Sequence, residues 1–471
     1  MGFQVVSSSR RCPCAFQARS RTCASIAQTA LGALALVATA LPLKSAFATG
    51  FFINQQSVIG LGRVGAGSAA GADGASSVFF NPAGLTELGR TEPGSTTWMS
   101  TGVQVIIPHS SLRNAGSTAA TPGTLGTAAP FAGTDMRDPA GATPVLNIFA
   151  VRRLSGLPAY VGFGINSPFG LSAKFRDDWF GRYDATKASL LTLNFSGVAA
   201  WELNPVVTIG GGLDLQYARS TLVTAIPNPL VPGGPTAATD GRSETNGDSW
   251  AAGFNIGLLV RPNDATRVGL HVRSPINHRL SGTSNVRGLT GPLAPGNGTV
   301  GASAKLKLPM IVSLGAVHKL TDRLDLLGQI EWYGWNRFDE VRVRFDNGSA
   351  DGVRRSNYRN ARALAVGVEY AYSKALTLRG GVRVDETPTV DGFRDTTLPD
   401  EKRTWLGLGA SWKTSPSSTW DFAFAHAAVK RADISVVRTF FDGTPVASTV
   451  RVMGTAQSSV DTLSIAYRYA F

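Results

Sequence analysis

The chain has 471 residues, of which only 16% are charged, with 53 glycines, 25 prolines and a formal net charge of +13. It is too apolar and aromatic for a disordered chain, it lacks the strict glycine period of a collagen, and it is poor in the Glu, Lys and Leu that build amphipathic helices. The positive charge is spread thinly among acidic residues, which argues against a nucleic-acid partner and for a basic surface facing anionic lipid or ligand.

Residues 1–48 read as a secretory signal peptide. They carry Arg10, Arg11, Arg19, Arg21 and Lys44 and no acid, then the apolar run TALGALALVATALPL at 29–43, then a small-x-small site at Ala46-Phe47-Ala48. The run is shorter than the ~20 residues that a spanning helix needs. Cys12, Cys14 and Cys23 all lie in this leader, so the mature chain has no cysteine for a disulfide, a thiolate metal site or a nucleophile.

Residues 49–92 follow. They do not alternate, are rich in Gly, Ala and Ser, and are too apolar for a linker and too short for a domain. A plug folded inside something larger explains them. Gly60-Leu-Gly-Arg-Val-Gly65 matches G-x-G-x-x-G, but no βαβ unit surrounds it and the next acid, Asp73, comes too early. These glycines read as turn and packing positions.

From 93 to 471 the pattern is period-2 alternation in segments separated by turn residues. LLTLNFSGVAAW at 190–201 turns at 202–205 into VVTIGGGLDLQY at 206–217, and the chain closes on LSIAYRYAF at 463–471. Fourteen such segments are expected, near 94–107, 144–153, 158–166, 187–202, 205–223, 248–261, 266–281, 301–319, 324–346, 354–372, 375–385, 403–412, 419–438 and 455–471. Short turns alternate with long connections, and the alternating faces suit lipid outside and a lumen inside. Within lipid every backbone amide needs a partner, so strands can cross only as a closed sheet. The expected fold class is therefore all-β: a transmembrane antiparallel β-barrel of about 14 strands, with residues 49–92 as a hatch in its lumen.

Chemistry-bearing motifs are scarce. The five histidines are scattered without metal-ligand spacing, and no G-x-S-x-G elbow occurs. No catalytic residue, metal or cofactor is expected. In VRVRF at 341–345, Arg342 and Arg344 share one strand face. If that face lines the lumen, the two guanidiniums could hold a carboxylate bidentately; otherwise they are solvated charges, or partners of Asp339, Glu340 and Asp346.

Several blocks together resemble the outer-membrane long-chain fatty acid transporter family, which includes the toluene/xylene hydrocarbon transporters. They are FFINQQSVIGLGRVGAGSAAGADGASSVFFNPAGL at 51–85, GFGINSPFG at 162–170, DWFGRY at 178–183, EWYGWNRF at 331–338, LRGG at 378–381 with DETP at 385–388, and LPDEKR at 398–403. The resemblance spans nearly all of 50–471. It implies passive uptake of a hydrophobic small molecule, a long-chain fatty acid ahead of a monoaromatic hydrocarbon. The ligand would be caught among the extracellular loops, pass to a pocket at the mature N-terminus, and leave sideways where the third strand bends. Carried over residue by residue, the pocket segment is Gly50, Phe51 and Phe52. The hatch contact is Asn81, Pro82 and Ala83, and the lateral gate lies near Ser167, Pro168 and Gly170. Family members hold a carboxylate with basic side chains near the pocket. Ser220 to Ile226 offer none here, so Arg219, Arg342 or Arg344 is expected to serve, and an uncharged ligand becomes preferable if none faces the pocket. The expected setting is the bacterial outer membrane, as a monomer among outer-membrane lipid and lipopolysaccharide, with no nucleic acid. A general porin, an adhesin barrel and a barrel hydrolase are the alternatives.

Overall fold

A computed structural model describes residues 50–471; the expected leader lies outside the described residues. Fourteen antiparallel strands form one closed barrel. They are β1 (Thr97–Asn114), β2 (Thr143–Arg153), β3 (Ala159–Asn166, resuming as Gly170–Lys174), β4 (Lys187–Glu202), β5 (Val207–Ile226), β6 (Gly241–Asn263) and β7 (Thr266–Arg273 and Asn277–Arg287). The circuit continues with β8 (Gly298–Lys307 and Ile311–Thr321), β9 (Leu324–Tyr333), β10 (Ala361–Ala371), β11 (Leu376–Asp385), β12 (Arg403–Lys413), β13 (Ser418–Val429 and Ala432–Phe440) and β14 (Ser448–Ala470). β14 closes on β1 in a register running from Trp98↔Ala470 to Asn114↔Gly454, so the barrel leaves no edge strand.

The alternation read from the sequence is the alternation of burial. Along β10 the pattern is buried, exposed, buried, exposed, with Leu364, Val366 and Val368 outward and Ala361, Ala363 and Ala365 inward. Leu213, Ile256, Leu408 and Leu463 continue the outward apolar band on other strands. No helix among the described residues is long and apolar enough to cross a membrane; the strands carry that band.

The sequence placed every strand but cut some short and ran two, 324–346 and 354–372, into a separate hairpin, Glu340–Phe345 with Gly352–Arg355. β1 runs seven residues past the expected end and β6 starts seven before its expected start. The reason is visible in the residues gained. Ser110, Ser111 and Asn114, and Arg242, Ser243 and Glu244, are polar on both faces because they stand beyond the apolar band. The backbone ladder continues there after the hydrophobic alternation has stopped.

The N-terminal segment lies within the barrel. It folds into one-turn helices, Val58–Leu61, Ser77–Phe80 and Thr86–Thr91, joined by 3-10 turns. Gly65, Gly67, Gly71 and Gly74 have positive φ. The G-x-G-x-x-G stretch thus falls on a helical turn and the tight turn after it, as expected of packing glycines. Wall glycines let this backbone dock directly on the strands. A Cβ at Gly381 of β11 would sit 2.5 Å from the Arg63 carbonyl oxygen, and one at Gly269 of β7 would overlap the Ala69 carbonyl. Buried ion pairs complete the docking: Arg63 with Asp73 at 3.2 Å and with Glu369 of β10 at 3.7 Å, and Glu87 with Arg261 of β6.

Candidate functional site

The third strand breaks where the sequence puts Ser167-Pro168. Asn166 faces Asn194 of β4, while Gly170 faces Leu191. Four steps along β3 therefore match three along β4, so the break holds one extra residue. Proline has no N–H for the ladder, and an extra residue bends the strand. Pairing between β2 and β3 stops at Ile148↔Ile165. Beyond it, residues 143–147 of β2 pair with β1 alone, and Gly170–Lys174 pair with β4 alone. The wall is thus unpaired between β2 and the upper piece of β3.

The backbone groups freed at the break are taken up by the N-terminal segment. The Ile53 N–H donates to the Pro168 carbonyl at 2.8 Å, and the Gly170 N–H donates to the Phe51 carbonyl at 2.9 Å. The Gln56 side-chain amide donates to the Ser167 carbonyl at 2.9 Å and accepts from Asn166 at 3.1 Å. Thr192 of β4 accepts from the Phe169 N–H at 3.0 Å and donates to its carbonyl at 2.7 Å. Residues 51–56 act as a short substitute strand against the bend.

Phe51 of this segment lines a cavity of ≈ 170 Å³. Phe51 packs edge-on against Trp335 (4.6 Å between ring centroids) and Phe338 (5.2 Å). Phe52 lies against Phe169 and Tyr333 at 5.3 and 5.4 Å. Gly50 has φ +67° and its N–H donates to Asp400 at 3.1 Å, so the start of the segment is also tied to the loop after β11. Leu190, Leu280, Leu306, Val341, Val343, Tyr358 and Leu398 form most of the remaining apolar wall. The cavity lies at the level where β7 and β8 are interrupted, at 274–276 and 308–310, and reorient toward the loops. The bend, the phenylalanine pair and the cavity are therefore one contiguous site.

The arginines expected to meet a carboxylate stand elsewhere. Arg219 shares the outward face of β5 with Leu213 and Leu215 and is exposed. Arg342 and Arg344 lie on a hairpin, Glu340–Phe345 with Gly352–Arg355, that adds to β8 at Ala302–Ala304. Val341 and Val343 take its inward positions, so the arginines point away, 42% and 70% exposed, with Arg342 paired to Glu340 and Asp351. Strand parity makes the two faces exclusive: the hairpin can give the cavity its valines or its arginines. Asn81, Pro82 and Ala83 are also apart from the bend. They dock on β5 and β6, where Asn81 donates to the Ala69 and Leu258 carbonyls at 2.6 and 3.2 Å and a Cβ at Gly210 would meet the Ala83 nitrogen at 2.5 Å.

Arg354 is the guanidinium in the cavity lining, and no periodicity marked it. It donates to the Asp184 carboxylate at 2.6 Å and carbonyl at 2.7 Å, and lies 3.4 Å from Asp395. Asp184, fully buried, also accepts from Arg438 at 2.7 and 2.9 Å and from Thr396 at 2.5 and 2.8 Å. One carboxylate thereby ties the loop after β3, the hairpin, the loop after β11 and the extension of β13. Beside it Arg182 pairs with Asp240 at 2.8 Å, and the Tyr183 hydroxyl donates to the same carboxylate at 2.9 Å.

Burial alone would raise the Asp184 carboxyl, but the Arg438 and Arg354 guanidiniums, with the Thr396 donors, hold it well below the usual carboxylate range. A depressed folded pKa adds stability that is present above the unfolded value, about 4, and lost only as pH falls through the folded value. The loop roof is therefore expected to resist protease equally at pH 7 and pH 5. Asp184→Asn, which leaves Arg354 and Arg438 to share Asp395 as their remaining carboxylate, is expected to weaken it by about 3 kcal/mol, read as new cleavage in the loops of an intact barrel. Equal resistance in that variant would show that the carboxylate does not hold the roof.

Among the described residues no group of His, Asp and Glu is placed to hold a metal ion. His109 and His426 flank Asp461 at 3.2 and 2.7 Å on the outer surface.

The model of the family described as outer membrane protein transport protein (OMPP1/FadL/TodX) matches residues 39–471. The chain is 27% identical over 426 residues to the 47 kDa outer membrane protein of Pasteurella multocida, covering 86% of this chain and 94% of that one. It is 26% identical over 411 residues to the long-chain fatty acid transport protein of Escherichia coli, covering 82% and 88%. Among solved structures, a Pseudomonas aeruginosa FadL homologue superposes with a TM-score of 0.77 at 22% identity, covering 90% of this chain and all of that one. The Pseudomonas putida toluene transporter TodX superposes with 0.64 at 15% identity, covering 88% and 98%. At those identities the two structures speak for the barrel fold alone.

Proposed function

The chain belongs to the outer membrane protein transport family (OMPP1/FadL/TodX), an outer-membrane family that transports hydrophobic compounds, and from that premise we propose that it carries long-chain fatty acids passively from the cell surface into the outer membrane. In this reading residues 1–48 are removed on export, 49–92 are the hatch, and 93–471 are the barrel, which acts as a monomer without a cofactor. The acid is caught among the loops, where Leu125 stands 92% exposed. Its tail then enters the cavity over Phe51 and Phe338, and the molecule leaves between β2 and the bent β3. Apolar burial at roughly 25 cal/mol per Å² drives capture. Exit into lipid spares an apolar solute a water-filled passage. The observation that carries the reading is the docking of 51–56 on the break at 167–169, which puts the pocket floor and the unpaired wall in direct contact. Arg354, at the cavity margin, is the side chain assigned to the carboxylate in place of Arg219, Arg342 or Arg344.

A second reading, uptake of a monoaromatic hydrocarbon, draws on two observations. Asp184 and Asp395 already neutralise Arg354, and a cavity of ≈ 170 Å³ is close to the ~150 Å³ of an apolar cavity known to bind benzene. Uptake of labelled oleate and toluene by a transporter-deletion strain, with and without this gene, separates them. Restored oleate uptake alone supports the first reading, and restored toluene uptake alone the second. Arg354→Met is expected to lower oleate uptake by about tenfold or more, the loss of a charge-assisted hydrogen bond, and to leave toluene uptake unchanged. Unchanged uptake of both compounds on expressing the wild-type gene would refute the transport reading.

A further inference from the structure

The outward face of the barrel carries a row of cations immediately beyond the apolar band. Arg219 on β5, Arg279 on β7 and Lys305 on β8 all point outward and are exposed. Their depth is set by the aromatic cluster beside them. Tyr217 and Phe195 pack on Trp250 at 5.3 and 6.0 Å between centroids, all on the outer surface, and amphipathic aromatics of this kind mark the level where acyl chains give way to headgroups. Arg219 lies two residues beyond Tyr217 on the same face, toward the long loops.

The row is neutralised only in part, by Asp248 across the ladder from Arg219. No ion pair joins Arg219, Arg279 or Lys305 to any described residue. Asp248, directly across the ladder from Arg219, is the carboxylate within the row and makes no ion pair. Arg279 and Lys305 occupy directly opposed positions in the β7–β8 ladder, and Lys174 opposes Lys187 in the β3–β4 ladder nearby. Like charges directly opposite each other destabilise a sheet. A sequence free to put Ser or Thr there has instead put two like-charged pairs on one side of the barrel at headgroup depth.

We infer that Arg219, Arg279 and Lys305 form a binding site for the phosphorylated headgroup of an outer-leaflet glycolipid, with Trp250 packing on its acyl chains. Neighbouring strands are ~4.8 Å apart, so the span from β5 to β8 is about 14 Å, wide enough for one diphosphorylated disaccharide. Phosphate oxygens between Arg279 and Lys305 would turn a repulsive pair into a bridged one, with the arginine offering two parallel donors. Arg219 and Arg279 lie on the outer wall, and Lys305, exposed there, also borders the cavity; the headgroup side of the site stands whichever hydrophobic compound is carried.

The test titrates purified, detergent-solubilised protein with diphosphorylated lipid A, enzymatically dephosphorylated lipid A and phosphatidylglycerol, and reads bound lipid by native mass spectrometry. Diphosphorylated lipid A is expected to bind about tenfold or more tighter than the other two, and Arg219→Gln/Arg279→Gln/Lys305→Gln to abolish that preference. Arg279→Gln alone is expected to raise the melting temperature of the lipid-free barrel, by removing a like-charge pair, and to shrink the stabilisation that lipid A confers. Equal binding of the dephosphorylated lipid or of phosphatidylglycerol, full retention by the triple variant, or an unchanged lipid-free melting temperature in Arg279→Gln would overturn the assignment.

Discussion

Deletion of Pro168 is expected to abolish uptake while leaving a folded barrel. The break in β3 spends four steps against three on β4, from Asn166↔Asn194 to Gly170↔Leu191. Removing one residue restores a common register, and removing the proline restores a donor at each position. β3 can then run straight, pair with residues 143–147 of β2 and close the wall. The docking of Phe51 and Ile53 on Gly170 and Pro168 is lost with it. Oleate or toluene uptake should fall to the level of the deletion strain, while the heat-modifiable mobility of a folded barrel is retained. Wild-type uptake by a folded variant would exclude exit through this part of the wall. Substitution of Pro168 alone should act more weakly, because the extra residue, and so the bend, remains.

Gly381→Val and Gly269→Val are expected to convert a plugged barrel into a conducting one. Both glycines face hatch backbone rather than side chains: Arg63 from β11, and Ala69 from β7. A flexible neighbour could swing aside, but a backbone carbonyl held by its own turn cannot, so the added methyls must push the hatch off the wall. Overpacking of this kind costs roughly 1–3 kcal/mol. The barrel wall, whose ladder is continuous at β7 and β11, should survive it better than a segment of one-turn helices. The measurement is single-channel current in a planar bilayer: near-silent wild type, steady current in the variants. Silent variants would mean that the hatch relaxes in place around the new side chain.

Much of this molecule is legible in its sequence, and the reason is the solvent. A barrel that crosses lipid must close, must alternate, and must turn tightly on one side, so fourteen segments and the approximate limits of most of them follow from local patterning. The bend was legible too, because Ser167-Pro168 interrupts an alternating strand with a residue that cannot join the ladder. Phe51 and Phe52, which the resemblance marks, lie beside that bend.

What local pattern could not reach was decided by registers and by distant partners. Arg342 and Arg344 share a face in any strand. Only the addition of their hairpin to β8 shows that the valines face inward. Arg219 follows an outward parity that the sequence left open, because Leu222 and Val223 put apolar residues on both faces of the strand beyond it. Arg354 carries no periodic signal, and it meets Asp184 across 170 residues of chain. Gln56 and Thr192, which satisfy the broken strand, are unremarkable as letters. Sequence by itself determined that the chain would close into a plugged cylinder, because lipid forbids unpaired backbone at every residue. Tertiary structure alone decided which polar side chains meet, because such pairs depend on where remote strands and loops come to lie.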